Sequence, residues 1–151
     1  MFAARLCVPR LSATTADDAV RALAARLFEA GHVRASFEAA ASQRERRSPT
    51  GLPFAGGAIA LPHAEPEHVV SPAIAVASLA SPVRFRQMGA PAIALDVALV
   101  VMPAFSEKEQ AASGLARLLE LLRDDALRAE LSRATTPEQM HDAIAARWRV
   151  A

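Results

Sequence analysis

The residues with the chemistry to do covalent work are concentrated between Arg44 and His68, where three arginines (Arg44, Arg46, Arg47) precede His63, Glu65, Glu67 and His68. His63 follows Pro62 at the end of the short apolar run Ala58–Leu61. An imidazole has an ordinary pKa of about 6.5, so near neutral pH it offers an uncharged nucleophilic nitrogen suited to carrying a phosphoryl group. The oxygens of a transferring phosphoryl group carry spread negative charge, which a guanidinium fork meets better than an ammonium. Arg44, Arg46 and Arg47 are the nearest cations in sequence. Two plainer readings stand beside this one: a hydrogen-bonded histidine closing a strand, and arginines solvated at the negative end of a helix. His63, Glu65, Glu67 and His68 also offer legitimate metal ligands. However, Pro62 and Pro66 break the segment and no histidine pair sits at helical spacing.

The elements around this segment must hold it still. Pro62 lacks an amide hydrogen, so the strand should stop there and present His63 in a loop. Gly56-Gly57 before the strand and small Ala64 after His63 leave room for another molecule to approach the imidazole. Upstream, Thr14-Thr15 followed by Asp17-Asp18 predicts a helix start, with Val20, Leu23, Ala24, Leu27 and Phe28 recurring at helical spacing up to Gly31. A second helix is expected over Ala35 to Arg46. Short apolar runs at Arg5–Val8, Ala58–Leu61, Ala73–Leu79, Val83–Phe85 and Ile93–Met102 read as strands. Helical spacing returns from Ser106 with Leu115, Leu118, Leu119 and Leu122. It continues in a short helix over Ala126–Ser132 and a last helix opened by Thr136-Pro137-Glu138, with Met140, Ile144 and Trp148 on its buried side. The expected architecture is a single α/β domain over residues 1–151, helices covering a mixed sheet.

Composition narrows the function classes. With 151 residues and 52% hydrophobic content, one domain can bury a sizeable core. The 17 Lys and Arg against 16 Asp and Glu argue against a basic nucleic-acid binder or a polybasic membrane-surface protein. Cys7 stands alone, so no intramolecular disulfide framework is available, and it reads as a small buried hydrophobe. His32 and His141 read as exposed structural residues. The N-terminus lacks the layout of a secretory signal. The run Ile93–Phe105, interrupted by Asp96 and Pro103, is shorter than the roughly 20 residues of a membrane helix. A soluble, cytoplasmic protein without direct membrane insertion is expected.

Pro49-Thr50-Gly51-Leu52 followed by Ala58-Ile59-Ala60-Leu61-Pro62-His63-Ala64-Glu65 resembles the active-site region of the mannitol/fructose superfamily of enzyme IIA domains of the bacterial sugar phosphotransferase system (PTS). His63 matches the phosphorylated histidine of that superfamily, and Arg44 matches the arginine placed near it. The likeness follows in segment order over nearly the whole chain, through Ser71-Pro72, the apolar strand ending at Met102 and the leucine-rich helix ending Arg123-Asp124-Asp125. Pro-His-x-Glu with His68 five residues after His63 resembles the galactitol branch. Mannitol-type domains carry a second active-site histidine at the start of the leucine-rich helix. Here Ser106-Glu107-Lys108-Glu109-Gln110 stands instead, so His68 becomes the candidate supporting group.

The resemblance implies a mixed central sheet flanked by helices on both faces. It also implies a phosphoryl relay in which Nε2 of His63 accepts from the phosphohistidine of the carrier HPr and donates to a cysteine of a cognate IIB component. The membrane IIC component would then select a polyol such as galactitol. No metal or organic cofactor is implied, and no nucleic acid. A regulatory phosphoprotein of the nitrogen-related IIA type, using the same histidine to switch protein partners, is the alternative, and a plain binding domain with an inert histidine is a third.

Overall fold

Continuous apolar runs, buried on both faces, decide where the central parts of the strands run. The computed structural model describes residues 1–148 and contains β1 (Cys7–Leu11), β2 (Ala58–Ala60), β3 (Ala73–Gln87) and β4 (Ala90–Ala104), in the order β1-β3-β4-β2. β3 and β4 form an antiparallel hairpin, while β1 runs parallel to β3 and β2 parallel to β4. The sheet is therefore mixed, with the short β2 on one edge. Among the described residues five helices cover it: α1 (Ala16–Glu29), α2 (Phe37–Arg47), α3 (Lys108–Leu122), α4 (Asp125–Arg133) and α5 (Pro137–Trp148).

The two faces of β3 carry different residues because successive side chains point opposite ways. Ala73, Ala75 and Ala77 face a core shared with Leu23 and Leu27 of α1 and Phe37 of α2. Ile74 and Val76 face a second core with Leu118 and Leu122 of α3, Leu127 and Leu131 of α4, and Met140 and Ile144 of α5. Three alanines in a row leave a shallow surface that admits α1 closely, and each fully buried leucine contributes about 1.5–3 kcal/mol. Helices thus lie on both faces, as the sequence resemblance implies. The start of α1 follows its sequence signature: Thr15 accepts from the Asp18 amide, and the Asp18 carboxylate accepts in turn from the Thr15 amide.

Three boundaries differ from the sequence reading. The runs Ala73–Leu79 and Val83–Phe85 are one strand, because an irregularity between Ser78 and Val83 absorbs Pro82 before pairing resumes at Val83 with Val97. Residues 4–6 form a 3-10 turn, and the first strand lies further on, at Cys7–Leu11. The β3–β4 hairpin also extends past its apolar parts to Gln87 and Ala90, closed by Met88 and a left-handed Gly89 at φ 75°.

Candidate active site

β2 ends at Ala60, and His63 stands three residues beyond it, half-buried, before a 3-10 turn at Pro66–His68. Its Nδ1 lies 2.7 Å from the carbonyl oxygen of Leu61. A carbonyl only accepts, so Nδ1 carries the proton and donates, and Nε2 of the neutral ring keeps its lone pair. Burial holds the His63 pKa below its ordinary 6.5, against the bond to Leu61; nearby Arg44 lowers it further and Glu65 raises it. The ring is therefore neutral at neutral pH.

This has a measurable consequence. A histidine whose folded pKa is lowered destabilises the fold as pH falls through the unfolded value, because the unfolded chain then binds the proton more readily. Wild type is expected to lose stability between neutral pH and the acid side of 6.5 relative to His63→Gln, and the His63 ring signal in NMR should titrate below 6.5. A midpoint above 6.5 would contradict the burial described here.

Arg44 sits in the last turn of α2, its side chain 27% exposed, with Nε 3.6 Å from a carboxylate oxygen of Glu65. The ion pair places the guanidinium on the loop that carries His63. Arg46 is about 200° further round the helix. It lines a cleft of about 270 Å³ on the α1 side, together with Arg84 and Arg86. Arg46 and Arg47 are both exposed. Of the three arginines near the helix end, Arg44 is the one whose charge reaches His63.

His68 is not brought against His63 by a hydrogen bond. Its Nδ1 is 2.8 Å from the hydroxyl of Ser36, at the N-terminal end of α2, and its carbonyl accepts from the Arg34 amide at 2.9 Å. Ser36 and Arg44 are eight residues apart, about 12 Å along the helix axis. The tie across to Ser36 is tertiary and leaves no trace in the local spacing of the two histidines. Among the described residues, no group of three or more His, Cys, Asp or Glu side chains is placed to hold a metal ion.

Two residues that sequence reasoning passed over are Glu45 and the threonine of Pro49-Thr50-Gly51. Glu45 is 8% exposed. Both its oxygens are taken by Thr50: one accepts from the amide at 2.9 Å, the other from the hydroxyl at 2.7 Å. The same hydroxyl oxygen accepts from the Leu61 amide at 2.9 Å. Burial raises the Glu45 pKa, while the two bonds from Thr50 and the charge of Arg44 lower it. The available signal was a carboxylate between arginines followed by Pro-Thr-Gly. Gly51 is required by backbone approach: its amide donates to Arg86 at 3.0 Å, and a Cβ there would lie 2.5 Å from that carbonyl oxygen. Gly56 and Gly57 serve conformation, with φ 85° and 135° in the turn into β2, the second a backbone shape closed to other residues.

The remaining candidates are structural. Cys7 is buried and its thiol is pushed up to about 11, chiefly by burial, which keeps it protonated. His32 and His141, expected to be exposed, are half-buried. Nδ1 of His32 lies 3.0 Å from the Ser71 hydroxyl, and that of His141 3.1 Å from Asp142. Trp148 packs edge-on against Phe2, with ring centres 5.0 Å apart.

A neutral histidine at a strand end with a guanidinium across the loop can take and release a phosphoryl group, and comparison with known proteins assigns the chain to the same class, the phosphotransferases. The model of the family described as "Phosphoenolpyruvate-dependent sugar phosphotransferase system, EIIA 2" matches residues 1–147, and the chain belongs to this family. It is 30% identical over 133 residues to the PTS 2-O-α-mannosyl-D-glycerate-specific EIIABC component of Escherichia coli (strain K12), which covers 87% of the chain and 20% of that protein. The chain thus spans about a fifth of that relative's length. Its fold is similar to mannitol IIA from Escherichia coli in complex with phosphorylated mannitol IIB, with TM-score 0.79 at 22% identity, covering 97% of the chain and all of the other. The nitrogen regulatory protein IIA-Ntr from Neisseria meningitidis is similar at TM-score 0.70 and 16% identity, covering 95% of each chain. No helix among the described residues is long and apolar enough to cross a membrane.

Proposed function

We propose that this domain is a cytoplasmic phosphoryl carrier that receives the group on Nε2 of His63 from the phosphohistidine of HPr and gives it to a cysteine of a cognate IIB component. The observation supporting this reading is the Nδ1–H bond to Leu61, which leaves Nε2 as the free nucleophile. In the first step the Nε2–P bond forms as the donor's N–P bond breaks, and the donor imidazole recovers the electron pair. The proton on Nδ1 of His63 stays where it is. In the second step a cysteine thiolate attacks phosphorus, the S–P bond forms, and the electrons of the N–P bond return to Nε2. Arg44 meets the phosphoryl oxygens in both. Mannitol IIA from Escherichia coli has been solved with phosphorylated IIB, which supports assigning a IIB partner here. The transported sugar, chosen by a membrane IIC component, is proposed to be a polyol such as galactitol, on the strength of Pro-His-x-Glu and His68; the mannosylglycerate-specific relative sets a competing cargo.

The likeness to IIA-Ntr favours a second reading, a regulator with the same chemistry and different partners. Incubation with phosphoenolpyruvate, enzyme I and HPr, followed by a candidate IIB component, separates the two. Phosphate that moves from His63 to the IIB cysteine supports transport. Phosphate that stays on His63 and changes the binding of other proteins supports regulation, and an unlabelled His63 sinks both.

His68 is proposed to support transfer by holding the loop after His63 against α2 through Ser36. Loss of one such bond is worth about 1 kcal/mol, or roughly a fivefold effect. His68→Ala should therefore slow phosphorylation by about that factor, and His68→Gln, which keeps a polar partner for Ser36, by less. Equal rates for wild type and His68→Ala would remove His68 from the mechanism.

A further inference from the structure

We infer that Glu45 and Thr50 are positioning residues for His63: a buried carboxylate and hydroxyl that extend the β2 pairing by one side-chain rung and thereby hold the imidazole in its Nδ1–H tautomer with Nε2 presented. The inference rests on His63 being the phosphoryl acceptor.

The argument begins with register. Ile59 and Leu52 exchange both backbone hydrogen bonds, Ile59 N to Leu52 O at 3.0 Å and Leu52 N to Ile59 O at 2.8 Å. In an antiparallel ladder the next hydrogen-bonded rung lies two residues on, pairing Leu61 with Thr50. Backbone pairing does not reach that rung; the Thr50 hydroxyl oxygen accepts from the Leu61 amide instead. The ladder therefore runs one step past the strand on a side chain, up to Pro62, where backbone donation ends.

The Leu61 amide then fixes the direction of the chain of bonds. A backbone N–H only donates, so the Thr50 oxygen accepts from it and the Thr50 hydroxyl hydrogen goes to Glu45. With its amide anchored, Leu61 holds its carbonyl, part of the tertiary amide to Pro62, in line with Nδ1 of His63. Both Glu45 carboxylate oxygens and the Thr50 hydroxyl have partners. A buried carboxylate is costly and adds little net stability against an apolar replacement. Its two oxygens are spent on one threonine whose remaining lone pair sets the turn before His63.

Thr50→Val is nearly isosteric and removes both hydroxyl bonds. Ring-nitrogen NMR on the unphosphorylated protein is expected to show a pure Nδ1–H tautomer in wild type and in Thr50→Ser. In Thr50→Val the two ring nitrogens should approach each other in shift as the tautomers mix. Transfer should slow by up to about 10²-fold, the order of loss for a misplaced reacting group, and recover in Thr50→Ser. Glu45→Gln, which keeps the shape and drops the charge, should lie between. A folded Thr50→Val with wild-type ring nitrogens and transfer rate overturns the inference. Should Thr50→Val not fold, a Glu45→Gln protein with wild-type ring nitrogens and rate overturns it equally. The tautomer measurement needs no phosphoryl donor, so it tests the positioning separately: a wild-type Nδ1–H tautomer with no phosphate on His63 would defeat the carrier reading while the clamp itself stands.

Discussion

His63→Ala is expected to abolish phosphoryl acceptance while leaving the domain folded. Acceptance requires an uncharged nitrogen with a free lone pair at a position another protein can reach. His32, His68 and His141 also have Nδ1 against an oxygen, but His63 alone directly follows a proline at the end of β2. Removing the His63 ring costs the one bond to Leu61, about 1 kcal/mol, which a domain with two hydrophobic cores tolerates. Mass spectrometry after incubation with phosphoenolpyruvate, enzyme I and HPr should show a single acid-labile phosphate in wild type and none in the variant. Label kept by folded His63→Ala would move the acceptor elsewhere, with His68 the first place to look.

Arg44→Ala should produce the second largest loss, about 10²–10³-fold in the rate of phosphorylation, the range for removing one well-placed donor from a developing anionic centre. Its stability cost should be small. The pair with Glu65 is long, at 3.6 Å, and Glu65 is 60% exposed, so solvent screens it to about 0–1 kcal/mol. Arg44→Lys should recover only part of the rate, since an ammonium offers no planar fork to the phosphoryl oxygens. The variant carries an internal control: Arg44 lowers the His63 pKa, so Arg44→Ala should shift that titration upward. A normal transfer rate together with an upward shift would show Arg44 to be near His63 and idle in transfer. The role would then pass to another cation.

The sequence by itself determined what is local. The Thr15 cap, the helical spacing of Val20, Leu23 and Leu27, the alternation along β3 and the proline stop before His63 all depend on residues within a turn or a strand of each other, where backbone restriction and side-chain period act directly. The residues of Pro-Thr-Gly and Pro-His were legible for the same reason, and the resemblance they carry assigned the class of chemistry. Tertiary structure decided which of these groups meet. That Arg44 faces Glu65 while Arg46 turns to the α1 cleft follows from helix phase once α2 is docked. The tie of His68 to Ser36 joins residues 32 apart. The union of Ala73–Leu79 with Val83–Phe85 depends on β4 continuing to pair beyond the irregularity. Glu45, read along the chain, is one more charge at a solvated helix end; only the docking of the segment after α2 onto β2 buries it against Thr50 and puts that threonine opposite Leu61. Register is a long-range quantity, since a slip of one residue turns every side chain to the other face, and the setting of His63 depends on it.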